Sequence, residues 1–173
     1  MENMFRDLKA SEIDCRISQI NEKGLTLLLY KDARVDMDIL DETVGAKNWQ
    51  RTHTRDNANC IIEIWDEDKK QWICKEDTGT ESFTEKEKGL ASDSFKRAGF
   101  NWGIGRELYT APFIYIPLID KENQPNFNLT EKNGKKTTYT KFFVEAIQIT
   151  DKIITGLAIK NDKGKRVFVY KKG

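Results

Sequence analysis

The residues of this chain best suited to chemistry are cations set along one helical face, and the chemistry they suit is the holding of phosphate. From Lys86 to Trp102 the sequence KEKGLASDSFKRAGFNW has helical spacing. On a helical wheel Leu90, Ala91, Ser94, Phe95, Ala98 and Trp102 gather on one side, which is the side to bury. Lys86, Lys96 and Arg97 fall together opposite them, within an arc of roughly 100°, and Lys88 sits to one flank. Ser82 and Glu85 supply the S/T-x-x-E pattern that opens a helix. Small residues (Gly89, Ala91, Ser92, Ser94, Ala98, Gly99) are dense, so another backbone can come close. A closely packed helix with a concentrated cationic face is the arrangement that meets a phosphate backbone. Most Lys/Arg faces are merely solvated, and the wheel alone leaves that plainer reading ahead.

Three more residues join this set. Arg34 falls in the first turn of a helix that the sequence starts at Asp32 as N-cap and stops at Gly45. A cation there opposes the helix dipole, and a locally unfavourable choice points to function. The plain alternative is a surface ion pair with Asp36 or Asp38. Arg106 follows Gly103 and Gly105, whose amides can hold a phosphate in a turn. Phe100 either stacks a base or packs in a core or subunit interface.

The elements that must position these residues follow from period and punctuation. Phe5 and Leu8 mark a short N-terminal helix or docking segment. Arg16 to Ile20 and Leu25 to Tyr30 read as strands around the turn Asn21-Glu22-Lys23-Gly24. In the Asp32 helix, Val35, Ile39 and Val44 are expected to face inward. Trp49 to Thr54, Cys60 to Trp65 and Gln71 to Lys75 are strands of an antiparallel meander that leads into the basic helix. The apolar segment from Pro112 to Pro117 reads as an edge. Asp120 to Thr137 is polar and reads as a mobile loop. Tyr139 to Ile149 is a strand pattern, and Ile153 to Lys160 with Lys165 to Tyr170 form a hairpin.

Composition sets limits. The chain has 173 residues, 38% hydrophobic and 33% charged, with a formal net charge of +1. Any electrostatic footprint must therefore be local. The three cysteines, Cys15, Cys60 and Cys74, form no C-x-x-C pair. Cys60 and Cys74 lie in apolar strand patterns and read as reduced core residues of a cytosolic protein. His53 is the sole histidine, which argues against a zinc site and against a Ser/His/Asp set. No apolar run has membrane-spanning length. No G-x-x-x-x-G-K-[ST] loop is present, which argues against ATP hydrolysis. Two alternatives stay open. Glu67-Asp68-Lys69, with Asp66 beside it as a Mg²⁺ ligand, has the acid-x-lysine spacing of a metal-dependent nuclease, although a charged hairpin turn is the commoner meaning. The meander and exposed aromatics also allow a passive single-strand-binding barrel of the OB type.

Three blocks carry a resemblance. The first is Tyr30-Lys31-Asp32-Ala33-Arg34-Val35 with Leu40-Asp41-Glu42-Thr43-Val44-Gly45 and Asn48-Trp49. The second is Asp77-Thr78-Gly79-Thr80-Glu81. The third runs from Lys88 to Tyr109, with Phe95-Lys96-Arg97-Ala98 and Trp102-Gly103-Ile104-Gly105-Arg106-Glu107-Leu108-Tyr109. In this order, from Phe5 to Ile116, they resemble the Rad-fifty-two family of single-strand annealing proteins, in particular its short phage members of the Sak type.

The resemblance implies an α+β fold in which a twisted antiparallel sheet packs against one long helix, with an additional short helix, and protomers assemble as rings or helical arcs. It implies a single annealing domain over 1–173, with its core over 5–116, the mobile loop over 120–137 and closing strands over 138–171. It also implies ATP-independent binding and annealing of single-stranded DNA in recombination and repair, by a phage-encoded protein in the cytoplasm of a bacterial host, with no catalytic residue, metal or cofactor. Position by position, it assigns Arg34, Lys96 and Arg97 to single-stranded DNA, and Lys88 matches a basic position of the family's helix. Lys86, Phe100 and Arg106 complete the candidate set. Eukaryotic members have a further arginine soon after the Lys-Arg pair, where this chain has Phe100. The implied partners are single-stranded DNA and further copies of the chain, with a single-strand-binding protein or an exonuclease as candidates, and no membrane.

Overall fold

The structure is a computed structural model; the residues it describes are 4–80 and 86–173, with backbone alone for 86–88. Ser82 and Glu85 therefore lie outside the described residues. The fold is α+β, with antiparallel sheets and two α-helices among the described residues. The chain divides into two compact units, Met1–Asp7 with Asp32–Arg106 and Leu8–Lys31 with Glu107–Gly173.

In the first unit, helix α1 (Ala33–Val44) begins where expected, because the Asp32 carboxylate accepts the Arg34 amide at 2.8 Å. It ends at Gly45, whose φ of 85° suits glycine, and the Asn48 side-chain amide donates to the Val44 carbonyl at 2.7 Å. The Trp49 indole then donates to Asp41 at 2.6 Å, which ties the next strand to the helix. The inward face of α1 differs from the expected one. Asp36, Ile39 and Leu40 are fully buried, while Val35 and Val44 are half-buried. The cause is a carboxylate-sized gap in the neighbouring helix, described below.

Strands β3 (Trp49–Thr54), β4 (Asn59–Asp66) and β5 (Gln71–Thr78) form the expected meander, in register Arg51–Ile62–Lys75. The burial of β4 alternates, with Cys60, Ile62 and Ile64 on the covered face. Helix α2 (Lys86–Trp102) packs on β4 and β5. Its Ser94, Phe95 and Ala98 are fully buried; burying a phenylalanine such as Phe95 contributes about 1.5–3 kcal/mol. The Trp102 indole donates to the Ile62 carbonyl at 3.1 Å, which seats the end of α2 on the sheet. Helix α2 closes with Gly103 at φ 96°, Gly103 N–H to Phe100 O at 3.0 Å and Ile104 N–H to Gly99 O at 3.0 Å. That pair of bonds is a Schellman stop, and Ile104 is buried beneath it.

The second unit holds a six-stranded antiparallel sheet. Its order is β11 (Arg166–Lys171), β10 (Ile153–Asn161), β9 (Phe142–Thr150), β1 (Asp14–Ile20), β2 (Gly24–Tyr30), β6 (Ile114–Pro117). The sheet curls into a nearly closed barrel in which β11 approaches β6. Leu25, Leu27, Ile114, Ile116, Ile154 and Ile159 form its buried side. The sheet expected to carry the basic helix is thus two sheets, and α2 packs on the smaller one. Strand β6 pairs with β2 at an edge, as its flanking prolines suggest. Residues 120–137, expected as a loop, hold the hairpin β7 (Thr130–Lys132) and β8 (Lys135–Thr137), and Asn126 and Phe127 before it are buried. Leu8 is a docking residue: it is buried and its amide donates to Glu107 Oε1 at 2.7 Å. No described helix is long and apolar enough to cross a membrane.

Candidate nucleic-acid interface

All seven residues expected at the site belong to the first unit. The N-cap geometry of α1 positions Arg34. Its backbone amide and Nε both reach Asp32 Oδ1, at 2.8 and 3.1 Å, and Nη2 reaches Oδ2 at 3.3 Å. The ion-pair partner is therefore Asp32, not Asp36 or Asp38. An N-cap carboxylate already faces the first turn, whereas Asp36 is buried on the inward face and Asp38 acts on Arg34 only through its field. The Arg34 side chain remains 81% exposed.

The Asp32 carboxyl is held below the ordinary carboxylate value, first by the hydrogen bond from the Arg34 side chain, and the Lys96 ammonium adds to the effect through its field. Arg34, by hydrogen bond and charge, and Lys96, by charge, thus both act on one carboxyl although they are distant in sequence. Gly99 sets how closely α1 approaches α2. A Cβ at Gly99 would lie 2.6 Å from Asp36 Oδ1. The missing side chain lets the buried Asp36 carboxylate of α1 press against the α2 backbone one turn beyond Lys96.

The other candidates divide. The Arg97 guanidinium is turned along the helix to Asp93 at 3.1 Å, and the same Asp93 oxygen accepts the Thr80 amide at 2.8 Å. Phe100 is half-buried. Arg106 is exposed, yet its guanidinium donates to the Phe100 carbonyl at 2.8 and 3.0 Å and to the Asn101 carbonyl at 3.1 Å. It sits where a cation complements the helix dipole. The Gly103 amide, expected to face a phosphate, is taken up by the helix stop. For Lys86 and Lys88 the backbone lies in the first turn of α2, and their side chains lie outside the described residues.

Two cations escaped the sequence reading. The Arg51 guanidinium stands 4.7 Å from the Phe95 ring centroid, and the Lys75 ammonium stands 4.9 Å from that of Trp102 while donating to the Asn101 carbonyl at 2.9 Å. Strand alternation was the available signal: Arg51 shares a face with Trp49, which stacks on Phe95 with centroids 6.2 Å apart.

The acid-x-lysine segment is a turn. Asp66 Oδ1 accepts the Asp68 and Lys69 amides at 3.1 and 3.0 Å, Lys69 pairs with Asp66 at 3.2 Å, and Lys70 pairs with Glu67. Among the described residues no group of three or more His, Cys, Asp and Glu side chains could hold a metal ion. Cys60 is buried, and burial pushes its thiol up to about 11. Cys74, expected in the core, is exposed because it lies on the β5 face away from α2. Comparison with protein-family models, curated proteins and solved structures finds no match to this chain.

Proposed function

We propose that this protein binds single-stranded DNA and anneals complementary strands without ATP, as the resemblance to the Rad-fifty-two family implies. The observation that carries the reading is that Arg34, 81% exposed at the start of α1, and Lys96 of α2 both bear on the Asp32 carboxylate, Arg34 by hydrogen bonds and Lys96 through its field. Two cations on separate helices whose fields meet at one exposed carboxylate form a local positive patch that attracts phosphate. Binding is then mainly electrostatic and tolerant of sequence. A strand held by its phosphates keeps its bases free to pair, and the duplex supplies the driving free energy at about 1.4 kcal/mol per stacked step. A chain of net charge +1 gains from assembly into a ring or arc, which joins small local patches into one track. The test is fluorescence anisotropy with a single strand and its duplex across a salt series, together with light scattering. Tighter single-strand binding with a steep salt dependence, by a multimer, is expected. Equal or tighter duplex binding at every salt concentration would overturn the reading.

A second reading, a passive single-strand-binding barrel, is favoured by the nearly closed sheet of the second unit, on which Tyr30 and Phe143 are exposed. It requires single-strand binding that ignores Arg34 and Lys96 and brings about no annealing.

A further inference from the structure

The hairpin β7–β8 carries an arrangement that folding alone disfavours. Its register sets Glu131 opposite Lys136 and Lys132 opposite Lys135. Successive strand residues point to opposite faces. One face therefore carries the Glu131–Lys136 ion pair at 3.0 Å, with Glu22 also 3.4 Å from Lys136. The other carries Lys132 and Lys135, next to the Thr130–Thr137 pair. Both lysines are exposed, and neither has an ion-pair partner among the described residues. Like charges directly opposite across a ladder repel and destabilise it. The turn between them, Asn133 at φ 53° and Gly134 at φ 73°, is the left-handed pair that a tight two-residue hairpin demands, so the two lysines leave the backbone directly opposite each other.

We infer that this ribbon is a second nucleic-acid contact, and that its ligand is the phosphate backbone of a duplex. An anion bridging Lys132 and Lys135 removes their repulsion. Duplex is favoured over single strand by what the lysine face lacks. Single strands are held by cations interleaved with aromatic rings on which bases stack. The lysine face of the ribbon offers threonine and lysine only, and the exposed Tyr139 lies past the end of β8, where the Thr140 amide bonds to Thr138 Oγ1 and turns the chain. A duplex has its bases already stacked and needs only backbone contacts, and its major groove admits a two-stranded ribbon. The inference rests on the proposal that the protein handles DNA, but it uses none of the residues of that site. It adds a means of holding the annealed product.

The experiment measures anisotropy of a labelled duplex and of one of its strands, over a salt series, with the full-length chain. The variants are Lys132→Ala with Lys135→Ala, and Lys132→Arg with Lys135→Arg. The alanine pair should lower the log–log salt slope for duplex by about 1.8, or about 0.9 per phosphate released, and weaken duplex binding roughly tenfold at low salt. Single-strand binding should stay as in the wild type, the arginine pair should restore the duplex slope, and thermal melting should be unchanged or raised. Absence of duplex binding by the wild type, an unchanged duplex slope, or an equal loss for both ligands would overturn the inference. An equal loss would mean general charge, and an unchanged slope would mean a solvated tip or an acidic protein partner. Failure of the annealing proposal reads differently: the wild type then lacks single-strand preference, whatever the ribbon variants do to duplex.

Discussion

Replacing Gly79 by alanine probes the seating of α2, on which the site depends. Gly79 follows β5, and its amide donates to the Ala58 carbonyl at 2.7 Å, which pins it from one side. An added Cβ would lie 2.7 Å from Ser94 N and 3.1 Å from both Leu90 O and Ser94 Cα. All three atoms belong to the α2 backbone, so no rotamer change relieves the contact. Carbon contacts are comfortable at about 3.5 Å or more, so the strand end and the helix must part by roughly 0.8 Å. Overpacking of this kind costs about 1–3 kcal/mol, and weakening the hydrogen bond to Ala58 adds about 1 kcal/mol. The stiffer unfolded chain returns about 0.4–1 kcal/mol. A net loss of about 2 kcal/mol lowers the melting temperature of a chain this long by roughly 4–8 °C. Circular dichroism melting measures it. Gly103→Ala serves as a comparison, since nothing lies within 4 Å of its added Cβ and only its φ of 96° resists. If Gly79→Ala melts with or above the wild type, the close approach of β5 to α2 is not as described, and the argument that seats Lys96 and Arg97 on a fixed helix fails.

The remaining predictions concern the charges. Asp32→Asn keeps a good N-cap but removes the charge that pairs with Arg34 and feels the field of Lys96, so single-strand binding should tighten while melting at neutral pH falls slightly; unchanged binding would make the pair structural. The Asp32 carboxyl is depressed in the folded protein, so its stabilising contribution is whole above the ordinary carboxylate range and fades as pH falls through the lower folded value. The asparagine variant should lack that acid-side loss in a melting series. Arg34→Ala should lower the single-strand salt slope by about one with melting unchanged or raised, and an intact slope would refute its contact with phosphate. Lys96→Ala with Arg97→Ala should abolish single-strand binding for a stability cost of about 0.5 kcal/mol, the worth of the half-exposed Arg97–Asp93 pair; an unfolded double variant or wild-type binding would show the assignment wrong. A maleimide should label Cys74 first in the native protein, because it is exposed, while burial, followed by the Asp14 charge, pushes the Cys15 thiol up to about 12 and burial pushes Cys60 to about 11. First labelling at Cys60 would contradict the packing of β4.

What was legible in the sequence was local. Asp32 as N-cap and Gly45 as stop are decided by short-range geometry, and both stand in the structure. The β3–β5 meander and the buried face of α2 follow from period alone. Long-range consequences were not legible. That α1 would approach α2 beside Lys96 depends on Gly99 admitting Asp36, a fit between two helices that no periodicity encodes. The Arg34 partner was misjudged because acids within the helix were weighed, whereas the cap carboxylate already faces the first turn. Arg106 read as a phosphate ligand because a glycine-rich turn and a helix stop look alike before the amides are placed. Asn133-Gly134 is a tight-turn dipeptide, but the polar stretch around it read as a loop and hid two short strands. The division into two units was hidden because the first unit interrupts the second between β2 and β6, where composition does not change.

The central claim is tested most directly by mixing two complementary labelled oligonucleotides with the protein in EDTA and without nucleotide, and following duplex formation by energy transfer. The account expects annealing much faster than the spontaneous rate, undiminished by EDTA and lost with Lys96→Ala and Arg97→Ala. Spontaneous-rate annealing by a folded, DNA-bound wild type, or strand cleavage that appears when Mg²⁺ is restored, would contradict it.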